Sequence, residues 1–136
     1  MNETSKETLS VVVEREMPYP PEKIWRALTQ QDLIKEWLME NDFKLVVNNN
    51  FTLSADWGAV DCQVLAVEPN KTLSYTWAAY GLESVVAWTL TSSSSGTLLR
   101  MEQSGFRQDQ QQAYQGAQYG WQGFFKSLEE VLARMD

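Results

Sequence analysis

Apolar and polar residues alternate along much of this chain, and the alternation predicts β-strands. From Leu9 to Met17 every second residue is apolar except Arg15, a pattern typical of a half-buried strand. The same period returns between Phe43 and Phe106 and continues with few interruptions. We therefore expect one strand near the amino terminus and a group of strands in the middle of the chain.

Turn-forming residues divide the middle segment into six predicted strands. The first of these strands is predicted over residues 43–47. Because the links are short, the strands are expected to pair consecutively and antiparallel. Four of the links carry residues that favour turns, namely Asn48-Asn49-Asn50, Trp57-Gly58, Glu68-Pro69-Asn70-Lys71 and Ser92–Gly96.

Two short helices are predicted between the first strand and this segment. Pro20-Pro21 begins the first helix, since proline at the first helical position removes only an N–H that has no partner there. Thr29 is the predicted cap of the second helix, which carries Ile34 and Trp37 at helical spacing. Two interpretations of the second helix stay open: a lid over a cavity mouth, or a connector that packs on the sheet.

The last segment predicts a long amphipathic helix from about Gln111 to Arg134. Asp109 is its predicted cap, and Trp121 and Phe124 are expected to be mostly buried. A strand, two short helices, six strands and a long helix form an α+β fold, in which the sheet must bury one face against the last helix. The apolar stripe of that helix is Trp121, Phe124, Leu128, Val131, Leu132 and Met135.

Length and charge narrow the class of protein. A chain of 136 residues predicts a single domain over residues 1–136, with the polar segment 1–7 frayed. The net charge is −7, from 18 acidic and 11 basic residues, and there is no basic run. Nucleic acid and anionic membranes are therefore not expected as partners. Neither a leader segment nor an apolar stretch of membrane-spanning length is visible, which predicts a cytoplasmic protein.

The absence of histidine removes much of enzyme chemistry. Without imidazole there is no Ser-His-Asp or Cys-His system and none of the usual zinc or non-haem iron ligand sets. The one cysteine, Cys62, cannot form an intramolecular disulfide and is expected to be an inert buried thiol. We assign no catalytic residue, no metal site and no cofactor.

Four short motifs, in order, resemble one known family. The first is the opening stretch from Arg15 to Thr29, in which a strand leads through Pro20-Pro21 into a short helix. The second is the central Ala66-Val67-Glu68-Pro69 with Leu73-Ser74-Tyr75-Thr76-Trp77. The others are Gly96-Thr97 with Gln103-Ser104-Gly105-Phe106, and Gly120-Trp121. Together they resemble the Hsp90-ATPase-activator-homologue-1-like (AHSA1) family of the START-like (SRPBCC) superfamily. Two departures stand out: Asn48-Asn49 replaces a glycine pair of many relatives, and Gln103 replaces their His or Glu.

The resemblance implies a helix-grip (Bet v 1/START-like) fold, in which an antiparallel sheet curls around the long last helix. Relatives often keep a cavity between sheet and helix, and six tryptophans, five tyrosines and five phenylalanines supply rings for its walls. The alternative is that these rings fill the interior, because aromatic side chains dominate core packing in general. The predicted ligand-binding residues are Arg15, Trp37, Tyr75, Trp77, Trp88, Met101, Gln103, Tyr114 and Trp121.

Arg15 has two interpretations of its own. It occupies one of the alternate positions of the first strand that point to the buried face, and a buried guanidinium needs a partner. Glu83 or Glu102 could supply a structural ion pair, and a ligand carboxylate would make Arg15 an anion anchor.

Three functions follow from the resemblance. The first is a non-catalytic binder of a hydrophobic or aromatic small molecule, in which Gln103 orients the ligand. The second is an enzyme of the cyclase/aromatase or hydrolase kind, disfavoured by the lack of histidine. The third is a chaperone-associated module, and a protein partner or a homodimer stays open.

Overall fold

A computed structural model describes residues 8–135, so the segment 1–7 and its predicted fraying lie outside the described residues. Within residues 8–135 the chain forms seven strands and three helices. The strands are β1 (Thr8–Met17), β2 (Glu40–Asn41), β3 (Asn50–Ala55), β4 (Gly58–Glu68), β5 (Thr72–Ala79), β6 (Leu82–Ser93) and β7 (Gly96–Arg107). The helices are α1 (Pro21–Thr29), α2 (Gln31–Trp37) and α3 (Gln111–Arg134).

All seven strands belong to one antiparallel sheet with the order β1-β7-β6-β5-β4-β3-β2. Strands β2 to β7 pair consecutively as hairpins. Strand β1 forms the edge of the sheet next to β7, with Val11 opposite Gln103. The sheet curls around α3, so the predicted α+β helix-grip fold is confirmed. This arrangement brings side chains of β1, β5, β6 and β7 into contact with α3.

Helix α3 covers the inner face of the sheet with an apolar stripe that contains the predicted residues and also Phe125. Trp121 is buried and Phe124 is mostly buried against the core, as predicted, and Phe125, which the predicted stripe left out, is fully buried. Neighbouring helical residues lie about 100° apart, so Phe124 and Phe125 flank the row of Trp121 and Leu128 on its two sides.

The predicted strand over residues 43–47 does not form. In the segment before β3 only Glu40–Asn41 pairs with that strand, and while Phe43 is buried, Leu45 and Val47 are exposed. Side chains take over the hydrogen bonding here, since Asn41 Oδ1 accepts from the N–H of Phe43 at 3.1 Å. The predicted Asn turn is present, with Asn48 at φ +73°.

Both predicted helix caps were wrong by one residue. The Thr29 hydroxyl donates back to the carbonyl of Trp25 at 2.7 Å, so Gln30 precedes α2. Asp109 accepts from Arg107 Nε at 3.2 Å, and Gln110 precedes α3. Short polar side chains have several backbone and side-chain partners at such junctions, and tertiary contacts choose among them.

Candidate functional site

A cluster of aromatic rings fills the space between the sheet and α3. We define the aromatic cluster as Trp37, Trp77, Trp88, Trp121 and Phe125. Trp88 lies at its centre, with ring centroids 5.7 Å from each of Trp37, Trp121 and Phe125, and Trp77 lies 5.5 Å from Trp121. Residues of α2, β5, β6 and α3 therefore meet in one place, as the alternation along the strands predicts.

A chain of hydrogen bonds runs through this cluster and is centred on Gln103. Trp121 Nε1 donates to Gln103 Oε1 at 2.7 Å, and Gln103 Nε2 donates to Ser84 Oγ at 2.9 Å. Ser84 Oγ in turn donates to the carbonyl of Trp77 at 2.9 Å. Gln103 is 1% exposed, so the inward position predicted for it is correct. Its amide is already bonded to protein groups on both sides.

Two further predicted residues, Tyr75 and Met101, are also buried beside these rings. Trp88 Nε1 donates to the Tyr75 hydroxyl at 3.1 Å. Burial raises the pKa of Tyr75 far above its usual range, so the phenol stays neutral at physiological pH. On the neighbouring strand, burial together with the charges of Asp61 and Asp42 raises the pKa of Cys62 to about 12.

Arg15 reaches α3 rather than an acid of the sheet. Its Nη2 donates to Gln122 Oε1 at 2.8 Å, and its guanidinium carbon lies 5.6 Å from the centroid of Phe125. The predicted partners were wrong: Glu102 accepts from Arg100 at 3.0 Å, and neither it nor Glu83 forms an ion pair with Arg15. The alternation along β1 predicted that the Arg15 side chain points inward, but it did not predict which residue of α3 lies opposite it.

Tyr114 lies apart from the aromatic cluster. It sits in the first turn of α3, where its ring packs on Phe106 with centroids 5.5 Å apart and its hydroxyl donates to the carbonyl of Ser10 at 3.2 Å. The structure therefore groups eight of the nine predicted residues in or beside the aromatic cluster and leaves Tyr114 at the beginning of α3.

Five hollows found among the described residues are all open to solvent. None of them is lined by Trp77, Trp88 or Trp121, because those rings contact one another. One hollow nevertheless reaches the aromatic cluster at Trp37. We call it the α2–α3 groove; it has a volume of about 680 Å³ and is lined by Glu36, Trp37, Leu38, Tyr119, Gly120, Gln122, Gly123, Phe124, Lys126 and Ser127.

The shape of the α2–α3 groove comes from glycines on α3. A Cβ added at Gly120 or Gly123 would meet no heavy atom within 4 Å, so missing side chains leave the space open. Trp37 lies at the α2 side, where its Nε1 donates to the carbonyl of Ala27 at 2.8 Å. Sequence reasoning missed the groove apart from Trp37, although glycines at 120 and 123 inside a helical pattern were the available signal.

The described residues contain neither a candidate metal site nor a helix suited to span a membrane. No group of three or more Cys, Asp or Glu side chains there could hold a metal ion. Of the helices within residues 8–135, none combines the length and apolar character needed to cross a bilayer.

Comparisons with known proteins agree with this architecture. The family model for Activator of Hsp90 ATPase homolog 1-like protein matches residues 18–133. The crystal structure of protein MLL2253 from Mesorhizobium loti is 61% identical, covers 94% of this chain and 99% of its own, and superimposes with a TM-score of 0.91. No curated protein matches the chain.

Two more distant structures share the fold. DynU16, encoded in the dynemicin biosynthetic locus, is 25% identical over 92% of this chain and 47% of its own, with a TM-score of 0.83. The Aha1 dimer from Colwellia psychrerythraea, solved in solution, is 22% identical over 91% of this chain and 96% of its own, also with a TM-score of 0.83. The matching family and the likeness to DynU16 support a START-like ligand-binding domain.

Proposed function

The chain belongs to the family of Activator of Hsp90 ATPase homolog 1-like proteins, and from this premise we propose that it binds a flat, apolar small molecule in the α2–α3 groove without turnover. The observation that carries the proposal is the groove itself, which meets the aromatic cluster at Trp37. Its volume of about 680 Å³ lies within the range of about 300–1,000 Å³ typical of small-molecule sites.

The lining of the groove suits an aromatic ligand. Leu38 and Phe124 supply apolar contacts above Trp37, which is 3% exposed and forms the floor. Gly120 and Gly123 allow a flat molecule to approach the helix backbone. Trp37 is held from behind by Trp88 and by its bond to Ala27, so little side-chain entropy is lost on binding. The other predicted residues of the cluster support Trp37 from the interior.

The chemistry of the buried groups favours binding over catalysis. A thiol with a pKa of about 12 has almost no thiolate near neutral pH, and the thiolate is the reactive form. The raised pKa of Tyr75 likewise disfavours a phenolate, and the amide of Gln103 does not titrate. An enzyme of the cyclase kind that uses the same groove is the alternative, and it would have to act through exposed groups.

The homodimer left open by the sequence also stays a proposal. It is supported by the likeness of fold to the Aha1 dimer from Colwellia psychrerythraea. Sedimentation of the purified protein at several concentrations tests it, and a mass that stays monomeric throughout would contradict it.

Titration with the neutral fluorescent probe N-phenyl-1-naphthylamine tests the binding proposal. Gly123→Leu places a side chain in the groove, and Gly116→Leu is its matched control, because Gly116 lies on the same helix outside the groove. A Cβ at either position meets no heavy atom within 4 Å, so both variants are expected to fold.

We expect saturable binding by the unmodified protein, weakened at least about tenfold by Gly123→Leu and unchanged by Gly116→Leu. An absence of saturable binding would overturn the proposal. Equal affinity of the two variants would exclude the α2–α3 groove as the site.

A further inference from the structure

We propose that the α2–α3 groove selects an aromatic carboxylate, whose anionic group is bound by Arg15 and Lys126. The inference rests on the proposed function and adds the chemical class of the ligand. Its basis is the distribution of charge and of hydrogen-bond acceptors around Gln122, which lines the groove.

Arg15 differs from three other arginines in its partners. Arg100, Arg107 and Arg134 each contact a carboxylate oxygen, at 3.3 Å or less. Among the described residues no carboxylate forms an ion pair with Arg15, whose contacts are a neutral amide and the Phe125 ring. In a chain with a net charge of −7, the guanidinium of this half-buried residue thus has no described carboxylate oxygen within 4 Å.

Gln122 holds the place that a ligand carboxylate would take. Its Oε1 accepts from Arg15 Nη2 at 2.8 Å, while its side chain lines the groove. A carboxylate oxygen offers the same acceptor geometry with a full negative charge, and bonds from arginine to carboxylate are stronger than bonds to neutral amides. An anionic ligand can therefore displace Gln122 with a gain in interaction free energy.

Lys126 adds a second positive charge on the same wall. It follows Gln122 by four residues on α3, which places the two side chains on one face of the helix. Lys126 lines the groove and forms no ion pair with any described carboxylate, including the nearby Glu129 and Glu130.

The opposite wall presents an acid that is already paired. Glu36 accepts from Arg134 Nη2 at 2.8 Å, so its charge is largely compensated. The groove thus has an apolar wall beside Trp37 and a cationic wall beside Gln122, and the matching ligand has an aromatic body with a carboxylate at one edge.

Calorimetric titration with 2-naphthoate and with its neutral analogue 2-naphthamide tests this inference. The two probes share the ring system and differ in charge. Arg15→Gln removes the charge at the proposed anchor, Lys126→Gln removes the second charge, and Arg107→Gln is the matched control at an exposed arginine paired with Asp109.

We expect the unmodified protein to bind 2-naphthoate about tenfold more tightly than 2-naphthamide, and added salt to reduce this ratio. Arg15→Gln should bring the ratio close to one while the affinity for 2-naphthamide stays unchanged. Lys126→Gln should lower the ratio partly, and Arg107→Gln should leave it as it is.

The possible failures are distinguishable. Equal affinity for the two probes in the unmodified protein, or an equal loss of both in Arg15→Gln, would overturn the anion site and leave the proposed function standing. Binding of N-phenyl-1-naphthylamine without binding of 2-naphthoate or 2-naphthamide would likewise overturn the anion site and leave the proposed function standing. If none of the three compounds binds, the proposed function fails and the anion site fails with it.

Discussion

The indole N–H of Trp121 donates to the side-chain carbonyl of Gln103 at 2.7 Å, and both residues are buried. One amide thereby joins α3 to β7, and its Nε2 extends the connection to Ser84 on β6. A buried polar group that loses such a partner is strongly destabilising, so this bond fixes where α3 lies on the sheet.

Replacing Gln103 by glutamate should make stability depend on pH. In the Gln103→Glu variant a protonated carboxyl could copy the amide, since its carbonyl accepts from Trp121 and its O–H donates to Ser84. At a position only 1% exposed, burial disfavours the charged form and raises the carboxyl pKa above its unfolded value of about 4.3. The native state then keeps the proton longer than the unfolded chain does.

The free energy of unfolding of Gln103→Glu is therefore expected to be close to that of the unmodified protein below about pH 4.3 and to fall relative to it as the pH rises. Urea unfolding between pH 4 and 8 measures the difference. Gln112→Glu, at an exposed position of α3, is the control and should show no such trend. A difference that does not change with pH would contradict the prediction.

Truncation of neighbouring phenylalanines should separate the buried face of α3 from its edge. Phe125→Ala removes a fully buried ring that stacks on Trp88 and should cost about 3–5 kcal/mol of stability. Phe124→Ala removes a partly buried ring and should cost clearly less. Urea unfolding of both variants checks this order, and a larger loss for Phe124→Ala would mean that the helix is rotated.

Cys62 should resist thiol reagents while the protein is folded. Its pKa of about 12 leaves almost no thiolate at pH 8, and burial blocks access. We expect 5,5′-dithiobis(2-nitrobenzoate) to react slowly with the native protein and rapidly after unfolding in urea. Ser94→Cys in a Cys62→Ser background, at an exposed hairpin position, supplies the fast control. Comparable native rates would contradict the burial of Cys62.

The raised pKa of Cys62 also makes the free energy of unfolding depend on pH in the alkaline range. Because the native state holds the Cys62 proton up to about pH 12 and the unfolded chain releases it near pH 9, this contribution to stability is complete below pH 9 and is lost as the pH rises further. Cys62→Ser should remove that part of the alkaline decline.

One substitution, Gly→Ala, should change stability in opposite directions at two positions. Gly58 has φ +145°, a backbone conformation that L-residues rarely adopt, so Gly58→Ala should destabilise by more than about 1 kcal/mol. Gly116 lies in α3 with open space around it, so Gly116→Ala should stabilise by about 0.5–1 kcal/mol. Thermal unfolding measures both, and equal signs would contradict the prediction.

The sequence by itself determined most of the architecture. The alternation from Leu9 to Met17 and from Phe51 onward identified the strands, and the helical spacing of the last segment gave α3 with the bounds that the structure shows. These predictions succeed because the side-chain period of a strand or helix is a local property, and burial of one face reinforces it. The alternation failed to predict the structure at residues 43–47, where side-chain hydrogen bonds such as that of Asn41 to the N–H of Phe43 replace the bonds between strands.

Only the tertiary structure decided which groups meet and how much space remains. Strand parity directed Trp88 and Gln103 inward, but it could not show that Trp121 bonds to Gln103 or that Arg15 reaches Gln122 instead of Glu102. Nor could it show that the rings fill the interior while the α2–α3 groove stays open. The periodicity of a strand or helix determines only the direction in which each side chain points. Side-chain contacts and the volume of a groove depend on the distance between elements that are far apart in the chain. The packing of the whole fold sets that distance.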